Sequence, residues 1–416
     1  MVLTMLGLAN VGLTLAEVGN FEALRYLGFA LTAFWLNALG TAFLRVRQDT
    51  NHAERWFVYY LLIVLLGSLL VFGLFASGTH LLGAMLIDTP DVQFGLAFGT
   101  YLMGTLAGSA VEQEAIADRA SGRLLAYSLS SNGLQLVVFL GALLLGFPMV
   151  LAMWTLAASA VYRVAWAALR YLRKQDVRLP LAVERQQFWS TASSLSLYGL
   201  AAAAVVIVDH ALVGYSAQDP KQSMSIWRYG AQELPLLVGV VSGLNATALA
   251  ERQDGDALML DNLKRRTVRL SSLILPAAIL LMATSRWWFP FLFTEAFAPS
   301  HVLFNTLLLI VPTRLVLTTP LLISHDLHAQ MTRVGVIENV INIVISLALV
   351  PFIGMLGIAI GTVVAFSIER LVYVRMLNER GIRLSQYVDL SRWSILSGIL
   401  VLTYAFMTDF LLILPY

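Results

Sequence analysis

A few ionisable side chains lie inside stretches apolar enough to sit in a bilayer, and they set the chemistry open to this chain. Arg25, in EALRYLG, follows Glu22 by three residues, so the two share a helix face and can pair, as an interfacial snorkelling pair would. Arg163, in SAVYRVAW, has no acid nearby in sequence, and either a lumen-facing or a snorkelling role is open to it. Asp209 and His210 close one apolar segment, while Arg228 and Glu233 fall in the next, in WRYGAQELPLL. Five residues is roughly 140° round a helix, so Arg228 needs a partner other than Glu233, either Asp209 or an anionic ligand. Arg314, in VPTRLVL, lies in a segment interior between two prolines and is expected to line a cavity. An ionised group at the bilayer centre costs about 2.5–3.5 kcal/mol on insertion scales, so such groups face a bundle interior or water. A planar guanidinium holds phosphate oxygens through charge-assisted bonds, which makes Arg314, Arg228, Arg163 and Arg25 candidate ligands for an anionic substrate. Asp209 and Glu233 are the candidates for coupling to protons or sodium. Glu338, Asn339 and Asn342 open another apolar segment, where polar groups join helices.

No HExxH, GxxxxGK[ST], GxSxG or tight carboxylate cluster occurs, and no metal or other cofactor is expected. The chain has no cysteine, which removes disulfides, thiolate nucleophiles and cysteine metal sites. A net charge of +2, with the basic residues spread over short loops, gives no footprint for nucleic acid. The residues are 58% hydrophobic and only 12% charged, with a mean hydropathy of +0.77. Soluble proteins carry about 25% charged residues, so these values describe an all-α, polytopic membrane protein.

Crossing a bilayer takes about 20 helical residues. Thirteen apolar segments approach that length: 1–16, 24–44, 57–76, 94–111, 124–146, 149–169, 189–213, 226–249, 270–291, 303–323, 334–350, 355–374 and 393–414. The first is short and has neither a basic lead nor a small-residue cleavage site, so it reads as a span and not a removable signal. With the N-terminus inside, 20 of the 27 basic residues fall in cytoplasmic loops, and only Lys221 and Arg286 fall in the opposite ones. A multi-pass protein of the inner, cytoplasmic membrane is expected, with 12–13 transmembrane helices. The stretch RYLRKQDVRLPLAVERQQ interrupts the apolar sequence near its middle with five positive charges and a proline. It divides the chain into a six-helix lobe over 1–170, a cytoplasmic linker at 171–187, a second six-helix lobe over 188–377, and a loop with an extra span over 378–416. A short echo between LNALGTAFLRVRQD (36–49) and LNATALAERQD (244–254) is consistent with a repeated lobe. Prolines 235, 276, 312 and 320 concentrate bending in the second half. No loop exceeds about 20 residues, too few for a soluble catalytic domain of at least about 50.

Three stretches of the second half, YGAQELPLLVGVVSGLNATAL (229–249), VPTRLVL (311–317) and IENVINIVISLALVPFIGMLGIAIGTVVAFSIER (337–370), resemble the polysaccharide flippases of the multidrug/oligosaccharidyl-lipid/polysaccharide exporter superfamily. The last is the most telling: a polar helix start with two asparagines, a proline, a short GxxG turn, then a helix of small residues. The resemblance implies two six-helix lobes around a central cavity, opening alternately to each side and turning over a polyprenyl-pyrophosphate-linked oligosaccharide. It implies a cationic lumen, for which Arg314 is the best candidate by position and Arg228 the second. Arg163 and Arg25 rest on the charge argument alone. The chain departs from the family in lacking a basic segment before its first span and in carrying a span beyond twelve.

The expected partners are the lipid-linked oligosaccharide, membrane lipids, and a glycan polymerase or glycosyltransferases of the same route. A proton- or sodium-coupled drug or cation antiporter of the same fold is the alternative; it calls for an embedded carboxylate. A membrane-embedded glycan polymerase or acyltransferase is a third class, for which only the Asp209 and His210 pair qualifies.

Overall fold

The computed structural model describes residues 2–49, 53–77, 92–118, 120–174, 179–216, 219–231, 256–325 and 327–407. Among them there is helix and no strand, because a chain this apolar must satisfy its backbone groups within each segment. Helices α1 (Val2–Asn10), α2 (Leu15–Asp49), α3 (Ala53–Ser77), α4 (Val92–Ala117), α5 (Ser121–Leu144) and α6 (Met149–Leu172) precede a longer α7 (Ala182–Ser216). There follow α8 (Pro220–Gly230), α9 (Asp256–Phe293), three short helices α10 (Ser300–Leu308), α11 (Val311–Arg314) and α12 (Thr319–Ser324), then α13 (His328–Ile353), α14 (Met355–Glu379), α15 (Leu384–Tyr387) and α16 (Leu390–Met407). Nine of the described helices are long and apolar enough to cross a membrane, so this is a multi-pass membrane protein.

The chain forms two compact units, 1–207 and 208–416. Their boundary lies inside α7 and not at the charged stretch 171–187, for a packing reason. The start of α7 belongs to the first core, where Phe188 and Ala192 are buried with Phe43, Trp56, Tyr60 and Tyr127. Part of the charged stretch is also fixed there: the buried Glu114 of α4 accepts from Arg170 Nε at 2.6 Å and from the Lys174 ammonium, which also lies over the Phe57 ring. At the other end, 378–407 is no appendage, since Tyr387 and Val388 belong to the second core with Leu263 and Leu377. Lys264 to Arg269 stand on α9 itself, a continuous helix of 38 residues that keeps Pro276 and Pro290 inside it.

The 303–323 segment, expected as one span, is instead broken into α10, α11 and α12. Pro312 and Pro320 each sit in the first turn of a short helix, where the missing N–H costs nothing, and each closes off the helix before it. Arg314 ends α11, at the break.

In each unit one closely packed pair of the described helices is built on a GxxxG spacing, which lets backbones approach where a side chain would hold them apart. In the first unit α4 meets α6 through Gly104 and Gly108; in the second α14 meets α13 through Gly357 and Gly361. Gly354, at φ 57°, turns the chain between α13 and α14. A Cβ at Gly104 would lie 2.5 Å from Ala160 Cβ and 2.8 Å from the Ala160 carbonyl oxygen. The obstacle is backbone, so Gly104→Ala is expected to cost about 1–3 kcal/mol, seen as a lowered unfolding temperature in detergent. Gly133→Ala, which meets open space, should cost nothing of that size.

Candidate functional site

In each unit the second glycine of the pair admits polar side chains to the interface. Gly108 faces the stem of Arg163 and the Tyr127 hydroxyl; Gly361 faces Asn342 Oδ1 and Ser346 Oγ. Of the residues singled out from the sequence, Arg163 lies at the first place, and Asn342 with Asp209 at the second.

In the first unit, Arg163 is buried on α6 and donates through one NH2 group to Asn132 Oδ1 at 2.7 Å and Gln135 Oε1 at 3.2 Å on α5. Glu112 of α4 lies within its electrostatic reach. Arg25 pairs with Glu22 as its spacing predicts: one guanidinium nitrogen donates to both carboxylate oxygens at 3.0 and 3.1 Å. Glu22 is buried, although the pair was expected at an interface, and Arg25 lies 5.6 Å from the centre of the Phe21 ring. Arg25 also lines a cavity of about 580 Å³ together with Tyr101, Ser128, Asn132 and Gln135. Arg163 stands behind that wall, bonded to two of the lining amides. Two of the predicted arginines are thus brought to one place, one at the surface of the cavity and one supporting it.

The neutral residues Ser128, Asn132 and Gln135 escape a search for charge. Their signal is the i, i+4, i+7 spacing of polar groups on α5, which puts them on one face of an apolar helix.

In the second unit, Asp209, near the end of α7, is buried and accepts from Asn342 Nδ2 of α13 at 3.0 Å and from Thr362 Oγ1 of α14 at 3.2 Å. Ser346 Oγ donates to Asn342 Oδ1 at 3.2 Å. Thr362 Oγ1 also lies within 3.4 Å of Asn342 Oδ1 and 3.0 Å of the Ile358 carbonyl, yet has one proton to give, so the network holds more acceptors than donors. Glu338, one turn before Asn342 and also buried, has an Oε1 without a hydrogen-bond partner and feels the charges of Asp209, Glu369 and Arg314. Helix packing, expected for Asn342, is thus achieved through an acid that sequence spacing could not connect to it. Thr362 was not foreseen, because a threonine in an apolar helix usually satisfies its own turn.

Arg314 is half-buried, with its guanidinium 4.3 Å from the centre of the Phe366 ring on α14. One turn further along α14, Arg370 donates to Thr318 Oγ1 in the link between α11 and α12, and lies 3.8 Å from Glu369. The broken segment is therefore held at both ends of the break by the same helix. Arg370, near the end of the 355–374 segment, was not singled out from the sequence. Arg228 is half-buried in the last turn of α8, whose N-cap is Asp219. Glu233 and the 244–254 half of the sequence echo lie outside the described residues.

No known protein family's sequence model matches this chain, and no curated protein matches it in sequence. Solved structures do. An inward-facing multidrug resistance MATE family transporter of the MOP superfamily aligns with a TM-score of 0.72 at 16% identity, over 92% of this chain and 94% of that one. The lipid II flippase MurJ in an inward closed conformation aligns with a TM-score of 0.70 at 13% identity, over 99% of this chain and 95% of that one. A MOP superfamily transporter from Pyrococcus furiosus, described as having a binding pocket of reverse polarity, aligns at 0.60 and 14% identity, over 92% and 91%. At these identities the likeness is one of fold: the chain is built like the MOP superfamily transporters, as its second-half motifs led us to expect.

Proposed function

We propose that this protein is a membrane transporter that turns a polyprenyl-pyrophosphate-linked oligosaccharide from the cytoplasmic to the outer leaflet by alternating access, with arginines holding the pyrophosphate. The observation that carries this proposal is Arg314 at a break in a membrane segment. Non-helical backbone at membrane depth is tolerated only where it is buried in protein or lines a water-filled cavity, and in transporters such breaks lie beside the cargo. A half-buried guanidinium there, with its face on Phe366, brings the planar, charged group that phosphate oxygens prefer to the break. Arg228 is the second ligand of the proposal; Arg25, paired with Glu22, and Arg163, bonded to Asn132 and Gln135, stand at the first unit's cavity and are not counted among the phosphate ligands. An inside-negative potential favours outward movement of an anion by about 2.3 kcal/mol per charge per 100 mV. On this proposal the protein works in the cytoplasmic membrane with its basic loops inward, and takes substrate from the glycosyltransferases of its route.

A second assignment, a cation-coupled drug antiporter, is favoured by the Asp209 network. Asp209, Asn342, Thr362 and Ser346 bring together oxygen ligands of the kind that hard cations prefer, and the buried Glu338, one turn before Asn342, adds a second carboxyl group. The same network serves the flippase as a coupling site, with Glu233 as the other coupling candidate.

Proteoliposomes carrying a fluorescent polyprenyl-pyrophosphate disaccharide in one leaflet separate the two. Flipping is expected to expose the label to an impermeant quencher at a rate raised by membrane potential. Cation-driven efflux of a lipophilic drug, with no movement of the labelled lipid, would replace the flippase by the antiporter.

A further inference from the structure

The cavity of the first unit is not built for an anion, although two arginines stand at it. Arg25 spends one nitrogen on both oxygens of Glu22, and Arg163 is turned away behind α5 with the charge of Glu112 in reach. What the wall presents instead follows from donor arithmetic. Arginine has only donors, so both amides that it binds must turn their oxygens to it and their NH2 groups elsewhere. Gln135 is nine-tenths buried, lines the cavity, and its Nε2 has no hydrogen-bond partner. A buried donor left unmade costs about 1–3 kcal/mol, an expense a ligand acceptor would relieve. Asn132, held by the same guanidinium nitrogen, lines the same wall, with Ser128 one turn away.

Opposite in character, and lining the same cavity, Phe21 and Phe139 stack with ring centres 5.2 Å apart and planes 22° from parallel. The space, about 580 Å³, falls in the roughly 300–1,000 Å³ range of small-molecule sites. Fixed amide donors beside an aromatic face, with cationic charge internally compensated, match a neutral ring that has acceptor oxygens on its edge and C–H groups on its face.

We infer that this cavity is a glycan subsite that takes one or two pyranose rings of the cargo, with Gln135 and Asn132 donating to sugar oxygens and Arg163 acting as the positioning residue that aims them. The inference rests on the proposed flippase function and divides its substrate: the sugar goes to the first unit and the pyrophosphate to Arg314.

The test is calorimetry on the full-length protein in lipid nanodiscs, with a panel of neutral hexose and N-acetylhexosamine disaccharides and, separately, inorganic pyrophosphate. At least one disaccharide is expected to bind. Its affinity should fall about tenfold in Gln135→Met, the effect of one lost hydrogen bond to a buried donor, and similarly in Asn132→Leu, with pyrophosphate binding unchanged. Gln135→Glu guards against misfolding: the new carboxylate pairs with Arg163, so the unfolding temperature should hold or rise while disaccharide binding is lost. Arg163→Lys, which keeps the charge but cannot hold both amides, should weaken disaccharide binding without touching pyrophosphate.

Failure of every disaccharide to bind, or wild-type affinity in Gln135→Met and Gln135→Glu, overturns the subsite. So does displacement of the disaccharide by a lipophilic cation that binds equally well to Gln135→Met, since the cavity is then a drug pocket. If disaccharide binds and pyrophosphate does not, the subsite stands and the anionic-cargo assignment falls.

Discussion

Arg314→Ala is expected to weaken binding of a pyrophosphate-linked substrate by two to three orders of magnitude and to stop flipping, with the fold intact. Two parallel charge-assisted bonds from one guanidinium, at about 1.5–3 kcal/mol each, sum to roughly 3–4 kcal/mol after the usual shortfall from additivity, which is a factor of about 10² to 10³. Against this, the loss to stability from its one ring contact is small. The stacking of Arg314 on Phe366 is a single cation–π contact, about 0.5–2 kcal/mol depending on its desolvation. Arg314→Lys keeps a charge but loses the fork, so a loss of about tenfold is expected, intermediate between wild type and alanine. Binding of inorganic pyrophosphate to the purified protein, read beside its unfolding temperature, checks both. Equal affinity in wild type and Arg314→Ala would remove the arginine from the cargo path and leave it as a packing group under Phe366.

The second large effect belongs to Asp209. Asp209→Ala takes the shared acceptor away from Asn342 Nδ2 and Thr362 Oγ1 in a buried setting. With about 1–3 kcal/mol for each donor left unsatisfied, a loss of roughly 2–5 kcal/mol is expected. Thr362 can turn to the Ile358 carbonyl, so the lower half of that range fits the geometry better. Asp209→Asn keeps the shape and one acceptor, and should fold well. It removes the charge around which Asn342, Thr362 and Ser346 are arranged, so any rise in transport on imposing a sodium or proton gradient should fall at least tenfold in this variant. Flux in proteoliposomes, with gradient and potential set independently by ionophores, reads this directly. If Asp209→Asn responds to gradients as wild type does, or if wild type responds to potential alone, Asp209 is a packing acid and the coupling role is lost.

These two effects differ in kind, and the difference separates the proposed roles. An arginine at a segment break, half-exposed and stacked on one ring face, is removed at smaller structural cost. A carboxylate that collects donors from two other helices is not, because its removal strands those donors where water does not reach. A loss of function with stability unchanged therefore points to contact with cargo at Arg314, while for Asp209 only the isosteric variant distinguishes coupling from architecture.

Composition and hydropathy alone determined that the chain is a helical, multi-pass membrane protein: so few charges in so many long apolar runs leave no other way to satisfy the backbone. The three-residue spacing of Glu22 and Arg25 was enough to foresee their ion pair, since both partners lie within one helical turn. The prolines flanking Arg314 pointed to bending, and the GxxG turn after Pro351 to the junction of α13 and α14. What the sequence could not contain is which distant residues meet. Asp209 and Asn342 are brought together by packing of helices far apart in the chain, and Arg163 reaches Asn132 and Gln135 only because α5 and α6 lie side by side. Linear spacing carries no information about such meetings. Nor did it show that the Arg314 segment breaks into three helices, because proline can kink a span or end it, and the choice between them belongs to the contacts on either side. Here Thr318, bonded to Arg370 on α14, holds the break open. The boundary inside α7 was decided the same way: charge marked 171–187 as a linker, but Phe188 and Ala192 found a buried place in the first core, and burial outweighs a run of solvated charges in deciding where a unit ends.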